Sequence, residues 1–516
     1  MSKLGLLDQL FYKLETGGMS PLYMGGAMIL DPTDSPYPID GKILADHLAA
    51  RMEKIPLMRQ KLVQDKLKLG DMRLVDDPNF DVKNHITRTS LKAPGGYKEL
   101  TECLGEFSAQ HLDLTRPLWH YEIIEGLENG RFAIALHIHH SIIDGIGAQQ
   151  ALGSIWSTKP IKPEKPSGKA WQVEEEPTSF ELIRGALAEN AERLYVKMPA
   201  FLMKSGAPLL KATFKTLTNT LRQDTEVIDE DSVTVPKVQK TSINVAQLSP
   251  KRAVSYIELP LKDIKDIRSH FNCTINDLSL LLNSYALEHY FKETGEELDF
   301  DLVAGMPINT RQEGDESVGN VLSVSRLSLH NQISDLEKRL AAIQQDTTKI
   351  KRASGPKAKE TSSAIDGKAI AGMVSPIVLD TLIYSIVKLN LLDKASAANV
   401  GITNVPGSPV PVYFSGAKQT GTVPMAPVGD TMGLTVTISS TSDLLVIGYH
   451  GCGQAIKDKE LFPQGVQIAF DKLKSMSKPK RKKAATPKSP AAKTKAKPKA
   501  KAKAKAKAKA KAKAKR

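Results

Sequence analysis

The reading starts from Ile134-Ala-Leu-His-Ile-His-His-Ser-Ile-Ile-Asp-Gly-Ile-Gly-Ala-Gln-Gln150. From 132 to 138 the side chains are apolar on both faces except at His137, the pattern of a central strand covered on both sides. Asp144-Gly145 signals a turn, and the residues from Gly147 onward are able to open a helix. His139 and His140 therefore fall where a buried strand ends, a place where loops build sites on a rigid sheet.

Further strand candidates lie at 24–30 and 119–124, and 44–55 has helical spacing through Leu44, Leu48, Met52 and Ile55. Residues 157–176, rich in Lys, Pro and Glu, read as an exposed linker. An amphipathic, mostly helical stretch follows over 179–221, with Pro199 and Pro208 as breaks. Its second half, 198–221, is basic and apolar, and suits either a crossing between domains or a helix lying on a membrane surface. Strands are expected at 255–259, 302–306, 321–327 and 434–448, and helices at 261–271 and 275–294. Strands alternating with helices in both halves predict an α/β architecture. The expected division is an N-terminal domain at 1–157, a linker and helical connection at 158–240, a C-terminal domain at 241–475 and a disordered tail at 476–516.

The net charge of +14 belongs to one end. Residues 478–516 hold 19 basic residues and no acidic one, leaving 52 basic against 57 acidic residues elsewhere, a net of −5. Any polyanionic partner is thus a partner of the tail, whose Lys-Ala repeats lack the apolar surface to fold alone. The tail suits the surface of an anionic bilayer or lipid droplet, with nucleic acid as the rival partner. Cys103, Cys273 and Cys452 are far apart, with no CxxC spacing, which offers neither a disulfide framework nor a zinc site and fits a reducing cytoplasm. The N-terminus lacks the pattern of a secretory signal, and the longest apolar run, 369–392, is interrupted by Asp380 and Lys388. The expectation is a cytoplasmic protein, with peripheral attachment to the inner membrane or to lipid inclusions left open.

Histidine suits proton transfer near neutral pH, and one imidazole can both take a hydroxyl proton and return it to a thiol leaving group. Thioesters are already activated, so acyl transfer from them needs no enzyme nucleophile. That agrees with the absence of a GxSxG elbow. Taken alone, two histidines at a strand end also read as satisfied core side chains, and Asp144 as a helix N-cap. No histidine spacing suggests a metal site, and none is expected.

The remaining motifs decide between these readings. His-His-Ser-Ile-Ile-Asp-Gly at 139–145 resembles the signature of the chloramphenicol-acetyltransferase-like superfamily of CoA-dependent acyltransferases and condensation domains. Within it the chain is similar to the bacterial wax ester synthase/acyl-CoA:diacylglycerol acyltransferase family. The similarity runs through Leu7-Asp-Gln-Leu-Phe-Tyr-Lys-Leu-Glu15, Asn79-Phe-Asp-Val-Lys-Asn-His-Ile86 and Pro117-Leu-Trp119. It continues in Thr274-Ile-Asn-Asp277, Met306-Pro-Ile-Asn-Thr-Arg311, Gly319-Asn320 and Asn404-Val-Pro-Gly407, spanning about residues 4–465 in the family's order.

The resemblance implies two chloramphenicol-acetyltransferase-like domains, mixed sheets flanked by helices, and an active-site tunnel at their interface. It implies that His140 is the general base, that His139 orients the site, and that Asp144 is structural, with Arg311 as its partner. Asn276, Asp277 and Gly145 are the expected substrate-binding positions, although Thr274 also reads as the cap of a helix and Gly145 as a turn glycine. The implied reaction moves a fatty acyl group from acyl-CoA, a co-substrate, to a long-chain alcohol or diacylglycerol, with no cofactor. The alternatives are a related CoA-dependent acyltransferase or condensation-type enzyme with another acceptor, or a non-catalytic lipid-droplet or polyanion-binding protein.

Overall fold

Residue types along the chain explain where its sheets lie. The computed structural model describes residues 2–143, 153–167, 173–199, 235–309, 322–353, 374–389 and 397–477. In chain order the strands are β1 (Ser2–Lys3), β2 (Tyr23–Asp31), β3 (Gln60–Val63), β4 (Arg73–Asp76), β5 (Ile86–Ser90), β6 (Trp119–Glu125) and β7 (Phe132–His139). The second half adds β8 (Arg252–Pro260), β9 (Val303–Asn309), β10 (Leu322–Ser328), β11 (Val400–Val405), β12 (Tyr413–Phe414), β13 (Ala417–Met425), β14 (Leu434–Ser440) and β15 (Leu444–Cys452). The helices that matter below are α1 (Leu6–Thr16), α2 (Gly41–Met52), α3 (Tyr97–Ser108), α4 (Ser179–Glu192), α5 (Leu261–His270), α6 (Ile275–Glu293), α7 (Leu336–Ala353), α8 (Pro376–Lys388) and α9 (Leu461–Ser477).

These strands form two six-stranded mixed sheets and one three-stranded sheet. The first large sheet runs β12-β13-β2-β7-β6-β5, and the second β10-β9-β11-β14-β15-β8. The expected α/β fold of mixed sheets flanked by helices is what the chain adopts. Strand β7 is central as its composition predicts: β2 and β6 flank it, and Ala133, Ile134, Ala135 and Ile138 are all buried. Ile134 and Ile138 face a core that includes Leu44 and Leu48 of α2. Ala133 and Ala135 face the opposite core, with Leu100, Leu104 and Phe107 of α3 and Val254 of β8.

That second core joins the two halves of the chain. Strand β13, from the C-terminal half, pairs antiparallel with β2 from Lys418 opposite Asp31 to Met425 opposite Gly25. The stretch 241–475 therefore supplies strands to both large sheets. Gly26 of β2 has φ +145°, a conformation open to glycine, and a Cβ there would lie 2.5 Å from the carbonyl oxygen of Val423. Gly407, which closes the Asn-Val-Pro-Gly motif, is likewise required: an added Cβ would lie 1.6 Å from the Ser440 carbonyl oxygen.

The expected strand over 434–448 is in fact a hairpin, β14 and β15, paired from Leu434–Gly451 to Ser440–Leu445. Its turn holds Thr441, Ser442 and Asp443, polar residues that the apolar run on either side obscures. The expected helix over 179–221 is α4 in its first part, followed by a π-helical turn at Arg193–Lys197, and 200–221 lies outside the described residues. Asp144, Gly145 and Arg311 also lie outside them, as does the tail.

Candidate active site

Strand β7 ends at His139, whose side chain is fully buried. The backbone N–H of Ser141 donates to His139 Nδ1 at 2.9 Å. An accepting Nδ1 carries no proton, so the ring is a neutral imidazole protonated at Nε2. That Nε2 lies 2.8 Å from Oε2 of Glu15 and donates to it. Both nitrogens of His139 are thus committed to holding the ring in place.

Glu15 comes from α1, in the segment Leu7 to Glu15 already singled out as a motif, although its carboxylate was not among the expected site residues. It is nearly buried, with 8% of its side chain exposed. The hydroxyl of Tyr23 donates to its Oε1 at 2.7 Å, and His111 Nδ1 stands 3.8 Å away. Burial and the adjacent carboxylate both push the Tyr23 phenol far above its ordinary value, so it remains a donor. One turn before Glu15 on the same helix face, Phe11 meets the next ring: its centroid is 4.9 Å from that of His140, edge to face. His140 is half-buried, just beyond the strand end, with its backbone N–H held by the carbonyl of Leu22 at 3.0 Å.

Alternation along β7 puts His137 on the same face as His139. Tyr23 packs edge-on against both rings, at 4.3 Å and 5.5 Å. Burial drives the His137 pKa down to about 3, with His450 of β15 as the next cause, and burial holds His450 itself at about 4. These two rings are neutral core groups. Among the described residues no group of three or more His, Cys, Asp or Glu side chains is arranged to hold a metal ion.

The expected substrate-binding pair in the C-terminal half has a different immediate environment. Thr274 and Asp277 form a capping box at the start of α6: the Asp277 N–H donates to Thr274 Oγ1 at 3.1 Å, and the Thr274 N–H to Asp277 Oδ2 at 3.0 Å. The other carboxylate oxygen accepts from Thr347 Oγ1 of α7 at 2.8 Å. Asp277 is buried, and its carboxylate is engaged in joining α6 to α7 rather than turned to an open site. Asn276 sits half-buried on the first turn of α6, and it is not one of the groups that hold His139.

Two other motifs prove to be partners in packing. His85, from the Asn79–Ile86 motif, stacks on Trp119 of Pro-Leu-Trp at 4.6 Å and bonds through Nδ1 to its carbonyl at 2.9 Å. The Trp119 indole N–H donates to the carbonyl of Met58 at 2.8 Å. These contacts hold the 79–86 motif and the turn at Met58 against β6.

With that geometry established, comparison with known proteins is informative. A family profile for the wax ester synthase/diacylglycerol acyltransferase catalytic domain matches residues 4–279, more than half of the chain. The chain belongs to this family. The companion C-terminal domain profile of the family matches residues 318–474. A Mycobacterium tuberculosis protein assigned as a diacylglycerol O-acyltransferase is 28% identical over 456 residues, covering 87% of this chain and 94% of that protein. A second from the same organism is 27% identical over 467 residues, covering 89% and 87%. Among solved structures, the wax ester synthase/diacylglycerol acyltransferase of Marinobacter aquaeolei VT8 superposes with a TM-score of 0.63 at 22% identity, over 92% of this chain and all of that one. The first condensation domain of the calcium-dependent antibiotic synthetase has the same fold, with a TM-score of 0.50 at 14% identity over 92% and 96% of the two chains. The protein is an acyltransferase of this family, with its two-domain architecture.

Proposed function

We propose that the protein transfers a fatty acyl group from acyl-CoA to a long-chain alcohol or to diacylglycerol, with His140 as the general base. The observation that carries this reading is the state of His139. Its two ring nitrogens are committed to Ser141 and Glu15, so proton transfer falls to the adjacent ring at the strand end. His140 takes the acceptor's hydroxyl proton as the oxygen attacks the thioester carbonyl carbon. The carbon–sulfur bond then breaks, and the same imidazolium returns the proton to the CoA thiolate, so no net proton is gained or lost. Glu15 and Tyr23 act through His139: Glu15 accepts from its ring and Tyr23 holds Glu15, which keeps the strand end in place. The family membership and the mycobacterial relatives support acyl-CoA and diacylglycerol as the substrate classes.

The test is thiol release from palmitoyl-CoA with hexadecanol or diacylglycerol as acceptor. His140→Ala is expected to lower turnover by about 10²- to 10⁴-fold, and equal activity in the variant excludes His140 as the base. The acceptor giving the higher kcat/KM in the same assay identifies the working substrate. Because such substrates are lipids, the reading extends to work at a lipid surface. No helix among the described residues is long and apolar enough to cross a membrane, so attachment would be peripheral. The lysine-rich segment 478–516 would add attraction to anionic lipid, and a chain lacking it should then float less with anionic vesicles.

A further inference from the structure

Helix α1 carries two opposed faces. Phe11 and Glu15 meet the histidine pair, whereas Gln9 and Lys13, also four residues apart, lie on roughly the opposite side. Gln9 Nε2 donates to Asp71 at 3.1 Å, and Arg193 at the start of the π-helical turn pairs with the same carboxylate. Buried Lys13 pairs with Asp380 of α8 at 2.5 Å. The Arg193–Lys197 turn and α8 are thus tethered to neighbouring turns of one α1 face.

Both tethered elements turn large apolar side chains to solvent. Leu194, Tyr195 and Val196 on the first, and Ile377, Val378, Leu382, Tyr384 and Leu389 on and just after the second, are each at least 50% exposed. Apolar clusters of that extent on a surface mark an interaction site. The charges nearby are accounted for: Asp380 is spent on Lys13, and Glu192 on Lys197. The one charged side chain on the exposed face of α8 is Lys388, which bonds to the Tyr384 hydroxyl. The sequence from Leu194 to Arg222 then contains five basic residues and no acidic one. Exposed apolar side chains accompanied by cations, with the carboxylates described beside them already paired, fit a lipid surface better than a soluble partner.

We infer that α8 and the Arg193–Lys197 turn form the face by which the enzyme seats on a lipid surface, held on the reverse side of the helix that presents Glu15. The inference rests on the proposed lipid acceptor and gives it a point of approach, on elements packed against the helix whose other face meets the histidine pair.

The experiment is flotation of the full chain with phosphatidylcholine-coated triacylglycerol droplets at about 1 M salt, where the Debye length is about 3 Å and the lysine tail contributes little. Wild type is expected to float, and Val378→Gln/Leu382→Gln/Tyr195→Gln to float about tenfold less with an unchanged melting temperature. Failure of wild type to float, or equal recovery of both proteins, overturns the assignment. A variant whose melting temperature falls by several degrees shows that these side chains pack within the chain, and one that dissociates a wild-type dimer shows a chain–chain interface. Either result overturns it too. Wild-type thiol release with a water-soluble alcohol tests the acyltransferase reading separately, since it involves no lipid surface.

Discussion

His139 Nε2 donates to Glu15 Oε2 across 2.8 Å, between residues 124 positions apart in the sequence. The bond joins the helix Leu6–Thr16 to the end of β7, and it brings a carboxylate from residue 15 against the histidine pair.

Glu15→Gln should therefore lower kcat about 10- to 100-fold while leaving the melting temperature within a few degrees. An amide accepts from the imidazole as well as a carboxylate does, but without the charge assistance that orients the ring. Thiol-release kinetics on the purified variant check this, and unchanged kcat would show that Glu15 has no part in positioning.

The two histidines should separate by readout. His140→Ala should lower turnover by about 10²- to 10⁴-fold with little loss of stability, because its ring is half-buried at a strand end. His139→Ala should cost about 2–4 kcal/mol in urea unfolding, because it leaves Oε2 of the nearly buried Glu15 carboxylate without the donor it has here. Equal unfolding midpoints for the two variants would contradict the bonding described for His139.

Acid should destabilise the fold through His137 and His450. Their pKa values fall from 6.5 to about 3 and about 4 on folding, so the unfolded chain binds more protons between those values. The stability they support is complete above about pH 6.5 and is lost as pH falls, toward 4 for His450 and toward 3 for His137. The slope is up to about 1.4 kcal/mol per pH unit for each ring. Urea midpoints at pH 7 and pH 5 measure it, and His450→Gln should flatten the dependence. A variant with the wild-type slope would locate the acid sensitivity elsewhere.

Asp277→Ala should cost about 1–2 kcal/mol of stability through loss of the capping box and of the bond from Thr347. The KM values for acyl-CoA and acceptor should stay within about twofold, since the carboxylate is engaged in joining two helices. A KM raised tenfold with unchanged stability would instead show that Asp277 contacts substrate.

Much of this architecture was legible in residue order. Strand β7 follows from apolar residues on both faces, and α6 from a threonine three residues ahead of an aspartate at a helix start. What stayed hidden depended on long-range pairing. Glu15 looks like any acid on an amphipathic helix until β2 folds back to bring Tyr23 beside it. The 441–443 turn was masked by the hydrophobicity of both its strands, and periodicity along one strand says nothing of which sheet it joins. Asp277 carried two readings at once: it matches a family motif, and its spacing from Thr274 also describes a cap, which is the contact it makes here.

Strand β13 has the widest consequence for how this polypeptide comes to be folded. The strand beside β2 in the first sheet is supplied by residues 417–425, made some four hundred positions after it. A truncated product, or a chain still emerging during synthesis, would expose the backbone of β2 as a bare sticky margin open to any other extended peptide. Closing that gap is a search over a long loop, so renaturation should be slow and should favour dilute protein.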